Sequence, residues 1–133
     1  MGENNSRFEA GMAVRSEVLG AEHVQRSLES ASSFARPMQD LVTEYCWGAV
    51  WSRPGLDRRS RSLVNLGMLT ALNRRHELGV HIRGALTNGV TPEEIREVLL
   101  QAAIYCGVPA GMEAFRIAEE TLAEQGVDVE SIE

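Results

Sequence analysis

The segment TPEEIREVLLQAAIYCGVPAG, residues 91–111, carries the clearest signals for the fold. Thr91, with Glu94 three positions later, is the signature of a capping box at a helix start, and the intervening Pro suits the first helical position. Apolar residues at three- and four-residue spacing predict one buried face: Ile95, Val98, Leu99, Ala102 and Tyr105. Gly107 ends this helix and another follows directly at about 109–125, which predicts an antiparallel helical hairpin.

The remaining segments are also predicted to be helical, because none alternates between apolar and polar residues with the period of a β-strand. Helical spacing and end signals indicate helices at about 6–19, 21–30, 37–52, 58–72 and 76–87. The fourth of these is apolar almost all round between residues 63 and 72, which predicts the most buried helix. We therefore expect an all-α single domain of about six to seven helices over residues 1–133, with residues 1–5 and 126–133 frayed.

The composition is that of an ordinary globular chain, with 44% hydrophobic and 24% charged residues and a formal charge of −6. Net negative charge argues against general nucleic-acid binding, which relies on basic surfaces. No apolar run approaches the roughly 18 residues of a membrane span, and the first residues lack the apolar core of a secretory signal. We therefore expect a cytoplasmic protein without a nucleic-acid or membrane partner.

Residue usage also limits the chemistry. All 13 basic residues are arginine, which excludes a Schiff-base lysine and a phosphate-loop lysine. Cys46 and Cys106 lie far apart, and neither belongs to a Cys-x-x-Cys pair or a Cys/His set with zinc spacing. In a reducing compartment we expect both to be free and buried as small hydrophobes, and we predict no metal site.

Aromatic and basic residues are concentrated in EYCWGAVWSRPGLDRRSR, residues 44–61. The segment holds both tryptophans and several arginines: Trp47, Trp51, Arg53, Arg58, Arg59 and Arg61. Indole faces beside guanidinium groups suit a flat, anionic small molecule. They equally suit a buried junction between helices with a salt-bridged rim.

Two predicted helix faces carry ionisable groups, because residues three and four apart share a face. They are Glu44 with Trp47 and Trp51, and Arg74 with Glu77 and His81. Together they hold enough groups for proton transfer and anion binding, and the Glu77–His81 spacing can fix one tautomer of the imidazole. Each also has an ordinary structural interpretation: core indoles, a salt-bridged Glu44, a core histidine and solvated arginines.

Two longer stretches resemble gamma-carboxymuconolactone decarboxylases and the wider alkylhydroperoxidase-D-like group: TEYCWGAVWSRPGLDRRSRSL (43–63) and HIRGALTNGVTPEEIREVLLQAAIYCGVPAG (81–111). Residues 7–20 and 33–45 also fit the decarboxylase pattern, so the resemblance covers nearly the whole chain. It implies the alkylhydroperoxidase-D-like helical fold.

The peroxidase branch of that group departs from this sequence at its reactive residues. Those members carry Cys-x-x-Cys-x-x-x-His, and when the motif is matched on His81 the two cysteine positions are Arg74 and Glu77. The glutamate that serves those cysteines falls at about Ser62. Thiol–disulfide exchange needs a thiolate and a resolving partner, so we do not expect this chain to reduce peroxides in that way.

The resemblance implies decarboxylation of a small anionic lactone, 4-carboxymuconolactone, to beta-ketoadipate enol-lactone in aromatic catabolism. The substrate is its own electron sink, so no cofactor is implied. On this chemistry we expect His81, oriented by Glu77, to be the general acid, with Glu44 as the alternative. Substrate binding falls to the arginines and indoles: Arg53 first, Arg58 or Arg61 as alternatives, Arg74 on the face of His81, and Trp47 and Trp51 as pocket walls.

The resemblance also implies a ring-like homo-oligomer, a trimer or a hexamer, and the apolar residues 63–72 fit burial between subunits. Three other functions stay open at this point. They are a decarboxylase-like enzyme for another lactone or keto acid, a thiol peroxidase, and a non-catalytic helical assembly module.

Overall fold

The fold was analysed in a computed structural model, which describes the backbone of residues 2–133 and the side chains of residues 5–133. The elements are α1 (Gly2–Leu19), α2 (Ala21–Glu29), α3 (Arg36–Leu41), a π-helix (Val42–Trp51), α4 (Arg58–Ala71), α5 (Arg75–Thr87), α6 (Pro92–Cys106), α7 (Val108–Glu124) and a 3-10 turn (Val129–Ser131). Residues 2–133 contain no strand, which confirms the all-α prediction. They form two compact units, one ending at Asp57 and one spanning Arg58–Glu133.

The first unit is organised by the crossing of α1 over the π-helix. A Cβ atom on Gly11 would lie 1.8 Å from the carbonyl oxygen of Thr43, and one on Gly48 would lie 2.2 Å from that of Arg7. Only glycine permits two backbones to approach this closely. The sequence predicted a regular helix where the π-helix lies. The wider turns occur at this crossing, a contact that the periodicity of one helix cannot reveal.

The ends of α1 also differ from the prediction in one respect. The helix begins at Gly2, so the backbone of residues 2–5 is helical instead of frayed, whereas Met1 lies outside the described residues. Gly20 stops α1 as predicted, with a positive φ of 93° that glycine adopts without strain.

The second unit contains the predicted hairpin of α6 and α7. The capping box is present: the Thr91 amide donates to Glu94 Oε1 at 2.9 Å, and the Glu94 amide donates to Thr91 Oγ1 at 3.1 Å. Gly107 separates the helices with a φ of 114°. The core of this unit comes from four helices and the connection between α5 and α6: Leu66, Leu78, Ile82, Ala85, Val90, Ile95, Leu99, Ala114, Ala118 and Leu122.

Several burial predictions for the second unit were wrong. α4 is not the most buried helix, since only three of its residues are buried and Val64 and Met68 are exposed, as is Leu72 directly after it. Tyr105 was expected on the buried face of α6 and is 84% exposed. A stripe of apolar residues shows that a face avoids water, but it does not say whether this chain itself covers that face.

The C-terminal segment was expected to fray, and the structure shows it folded. It forms a 3-10 turn in which Asp128 Oδ1 accepts from the Glu130 amide at 3.1 Å. Val127, Val129 and Ile132 pack against the core of the second unit. Among the described residues, no helix is long and apolar enough to cross a lipid bilayer.

Candidate functional site

The π-helix carries the tryptophans that were expected to line a pocket. Trp47 and Trp51 are buried, with ring centroids 4.7 Å apart and ring planes inclined by 32°. They pack with Val14 and Val18 of α1 as the core of the first unit. The geometry therefore supports the structural interpretation of the two indoles, as core aromatics.

Glu44 lies on the same π-helix and is half-buried. Its Oε1 atom is enclosed and accepts no hydrogen bond from any described residue. A buried carboxylate oxygen without a donor is costly. Glu44 makes no ion pair with a described residue, which argues against its salt-bridged interpretation, and its Oε1 is an enclosed acceptor without a donor among the described residues.

Arg15 of α1 was missed by the sequence analysis. It is only 6% exposed, and its Nη1 donates to Thr43 Oγ1 at 3.1 Å. Thr43 in turn donates to the carbonyl oxygen of Gln39 at 2.8 Å. Arg15 Nε and Gln39 Oε1 are both buried and have no hydrogen-bond partner among the described residues. Burial lowers the pKa of Arg15, an effect that the charge of Cys46 opposes.

A sequence signal for Arg15 did exist. On α1 the buried residues follow helical spacing through Gly11, Val14 and Val18, and Arg15 stands within this stripe. A charged residue inside an otherwise apolar helix stripe is uncommon, since arginine is seldom fully buried unless it is paired. The stripe therefore predicts a special role for Arg15.

In the second unit His81 is oriented by a different residue from the one predicted. Its Nδ1 lies 3.1 Å from Asn65 Nδ2 of α4. Glu77 is exposed and has no hydrogen bond or ion pair with any described residue, so the expected Glu77–His81 contact was wrong. The prediction failed because the spacing rule sees one helix only, whereas the partner of His81 comes from the neighbouring helix.

Asn65 can serve either protonation state of His81. If the amide nitrogen faces Nδ1, it donates to the Nδ1 of a neutral ring whose proton is on Nε2. If the amide turns over, its oxygen accepts from the Nδ1–H of an imidazolium at the same place. Asn65 can therefore hold the ring in one orientation while Nε2 gains or loses a proton.

The predicted anion-binding arginines occupy different surroundings. Arg53 follows the π-helix and is exposed, while Arg58 and Arg61 of α4 are half-buried. Arg61 is one helical turn before Asn65 and shares its face. Arg59 is engaged in an ion pair with Glu94.

Polar contacts hold the start of α5, and Arg74 takes no part in them. Arg74 is exposed at the N-cap of α5 and has no side-chain hydrogen bond or ion pair within residues 5–133. Its neighbour Arg75 contacts Glu113 Oε1 of α7 at 2.9 Å through Nε, and Arg116 contacts the same oxygen. The Arg116 hydrogen bond is the main reason that the pKa of Glu113 is lowered. Arg74 is thus the solvated cation here, and its proposed role in substrate binding stays a prediction.

Residues 36–120 match the sequence profile of the Carboxymuconolactone decarboxylase family. The chain belongs to this family. It is 43% identical to 4-carboxymuconolactone decarboxylase from Acinetobacter baylyi, with 97% of this chain and 96% of the relative covered. It is 50% identical over 115 residues to nitrosuccinic acid decarboxylase npaB from Metarhizium robertsii, covering 86% of this chain and 80% of the relative.

Within this family assignment, the cysteines do not suggest thiol chemistry. Both are free and exposed, which corrects the expectation that they are buried. Although the Cys46 residue as a whole is exposed, packing around it raises the pKa of its thiol, and the nearby charge of Arg15 only partly offsets this. A raised pKa disfavours the thiolate that peroxide reduction needs.

Proposed function

We propose that this chain catalyses the cofactor-independent decarboxylation of 4-carboxymuconolactone to beta-ketoadipate enol-lactone, a step of protocatechuate catabolism. The observation that carries the proposal is the 43% identity with a 4-carboxymuconolactone decarboxylase over 97% of the chain. A cytoplasmic reaction is part of the proposal, and the two free cysteines fit a reducing compartment.

The chemistry sets three tasks for the protein. As carbon dioxide leaves, its bonding electrons move through the ring double bond into the lactone carbonyl, and a ring carbon is then protonated. The protein must bind the retained acetate arm, stabilise the oxyanion and deliver the proton. An arginine clamped on the departing carboxylate would stabilise the ground state more than the transition state, which is losing that charge.

His81 is the proposed proton donor, with Asn65 holding its ring, and Glu44 is the alternative donor. Arginine is assigned to the groups whose negative charge persists or grows, with Arg53 and Arg61 as candidates for the oxyanion. Half-buried Arg61 is favoured by its position one turn from Asn65, because a charge in a drier environment acts more strongly than a solvated one.

Nitrosuccinic acid is a second candidate substrate, which the 50% identity with a nitrosuccinic acid decarboxylase favours. The two acids share a fragment: a carbon that carries a carboxylate, a carboxymethyl arm and a direct link to an electron sink. Loss of carbon dioxide beside the nitro group leaves a nitronate, which carbon protonation then quenches. The same three tasks therefore apply to both substrates.

The test is an assay of the purified chain with each acid, in which carbon dioxide release is measured together with ultraviolet absorbance. 4-Carboxymuconolactone is prepared enzymatically and used at once. The proposal expects release of carbon dioxide from 4-carboxymuconolactone with the larger kcat/KM. Turnover of nitrosuccinate alone would replace the primary proposal with the second, and turnover of neither acid would refute both.

We further propose that the chain forms a homo-oligomer, a trimer or a hexamer, through the exposed apolar face of α4. Val64 and Met68 stand exposed on that face, Leu72 is exposed just after the helix ends, and Tyr105 of α6 adds a large apolar group. Contiguous exposed apolar residues commonly mark protein contact sites. Light scattering after size exclusion measures the mass, and Met68→Glu is expected to lower it; a monomeric wild type would refute the assembly.

A further inference from the structure

Arg15 is a buried cation whose counter-charge is missing from the described structure. A guanidinium group has five N–H donors, and the only hydrogen bond of this side chain to a described residue runs to Thr43 Oγ1. None of the described acidic residues pairs with it, and its Nε is enclosed without a partner. We propose that Arg15 binds a carboxylate of a small succinate-type dicarboxylic acid, the arm that the substrate retains; this rests on the proposed function.

The energetic reason is that an unpaired charge in a protein interior is strongly unfavourable. A cation held solely for stability is normally paired with a carboxylate, or replaced by an apolar residue of similar volume. Arg15 has neither solution, and burial lowers its pKa because the charged form lacks compensation. An anion that binds supplies the missing partner. Binding therefore relieves the unfavourable free energy of the unpaired charge, and this relief adds to the affinity.

The surroundings of Arg15 are suited to hold it in a fixed orientation. Thr43 is fully buried and uses its hydroxyl proton on the carbonyl oxygen of Gln39, so its oxygen is left to accept from Arg15. The guanidinium is thereby anchored through one nitrogen, while its remaining donors keep the planar arrangement that matches a carboxylate. The anchor is on a π-helix, a form that occurs frequently at functional sites.

Cys46 of the π-helix lies near Arg15. It is three residues beyond Thr43, and the two side chains interact electrostatically. The Cys46 residue is exposed, whereas Arg15 is only 6% exposed. A carboxylate on a flexible methylene arm is slender, so it suits a guanidinium this enclosed better than a bulky anion does.

The ligand class follows from the substrates proposed above. Both contain a carboxymethyl arm beside the carboxylate that leaves, and removal of the sink from this fragment gives succinate. Succinate lacks a leaving route for carbon dioxide, so it serves as an unreactive probe. Arginine on the retained arm, away from the departing group, also obeys the requirement that binding energy not oppose the reaction.

The experiment measures succinate binding by calorimetry and by the melting temperature of the full chain. Arg15→Met removes the charge and keeps the length of the side chain. We expect this variant to bind succinate at least about 30-fold more weakly, as for loss of one partner from a buried charge pair. Its melting temperature without ligand should equal or exceed that of the wild type, because an uncompensated charge has been removed.

Two further variants complete the design. Arg26→Met, on the exposed end of α2, should leave both succinate affinity and melting temperature at the wild-type values. Arg15→Lys keeps the charge without the planar fork, so its succinate affinity should fall between those of the wild type and Arg15→Met. If Arg15→Met does not fold, wild-type affinity in Arg15→Lys refutes the inference and reduced affinity supports it.

A lower melting temperature of Arg15→Met with an unchanged succinate response would identify Arg15 as a structural residue and overturn the inference. Failure of the wild type to bind succinate would overturn it as well. The proposed function fails separately: Arg15-dependent succinate binding without turnover of either acid would refute the reaction and retain the site. Turnover of either acid, together with succinate binding that does not depend on Arg15, would retain the reaction and refute the site.

Discussion

Two glycine-to-alanine substitutions are expected to have opposite effects on stability: one at Gly11, in the crossing of α1 and the π-helix, and one at Gly67, outside it. A Cβ atom on Gly11 would lie 1.8 Å from the Thr43 carbonyl oxygen, whereas Cβ atoms essentially never approach closer than 3.0 Å. The helices would have to separate by at least about 1.2 Å, and a gap of that size forfeits about half or more of the dispersion energy between them. We expect Gly11→Ala to destabilise the first unit by about 3 kcal/mol or more.

Gly67 of α4 is the matched control. An added Cβ there meets nothing within 4 Å, so the gain in helix propensity should stabilise by about 0.5–1 kcal/mol. Urea unfolding measures both, with circular dichroism for the whole chain and tryptophan fluorescence for the first unit, whose core holds both indoles. A loss below about 1 kcal/mol for Gly11→Ala would refute the close crossing.

Three further predictions address His81, Cys46 and the C-terminal turn. If Asn65 orients His81, Asn65→Leu should lower kcat by about 10- to 100-fold, as loss of an orienting partner does, while Glu77→Gln leaves kcat nearly unchanged; equal losses would contradict this. His81→Ala should lower kcat by about 100-fold or more. Alkylation of Cys46 should reach half its maximal rate at a higher pH than alkylation of an unperturbed cysteine thiol in a short peptide, since burial raises the pKa of the Cys46 thiol. Ile132 packs against the core of the second unit, so Ile132→Asp should lower the free energy of unfolding by about 2 kcal/mol, as measured by urea unfolding. An unchanged free energy of unfolding would indicate that the C-terminal segment is frayed.

The parts of the fold that were predictable are those written in local sequence. Thr91 and Glu94 specify a helix start by themselves, and Gly107 specifies the break between α6 and α7. The π-helix was not predictable in this way, because its context includes the backbone of α1 at Gly11, more than thirty residues earlier in the chain. A local pattern carries no record of which carbonyl a distant helix will cross.

The candidate site shows the same difference between local sequence signals and contacts with distant segments. His81 is conspicuous in the sequence as a histidine on an apolar helix and stays a predicted site residue, whereas Asn65, which contacts it, belongs to another helix and has no sequence relation to it. Arg15 was missed for a different reason. Its signal, a charge inside the apolar stripe of α1, is present in the sequence but is less conspicuous than the cluster of arginines in residues 44–61.

That difference between clustered and isolated arginines has a physical consequence for catalysis. Arg53 is exposed, so water screens its field and reduces its selectivity between ground state and transition state. Arg15 is held in a dry environment by one hydrogen bond and acts with little reorganisation. A decarboxylase without a cofactor must fix the retained carboxylate firmly while leaving the departing one unassisted. A single buried guanidinium satisfies that requirement better than an exposed one such as Arg53, because a mobile, solvated cation would attract both carboxylates alike.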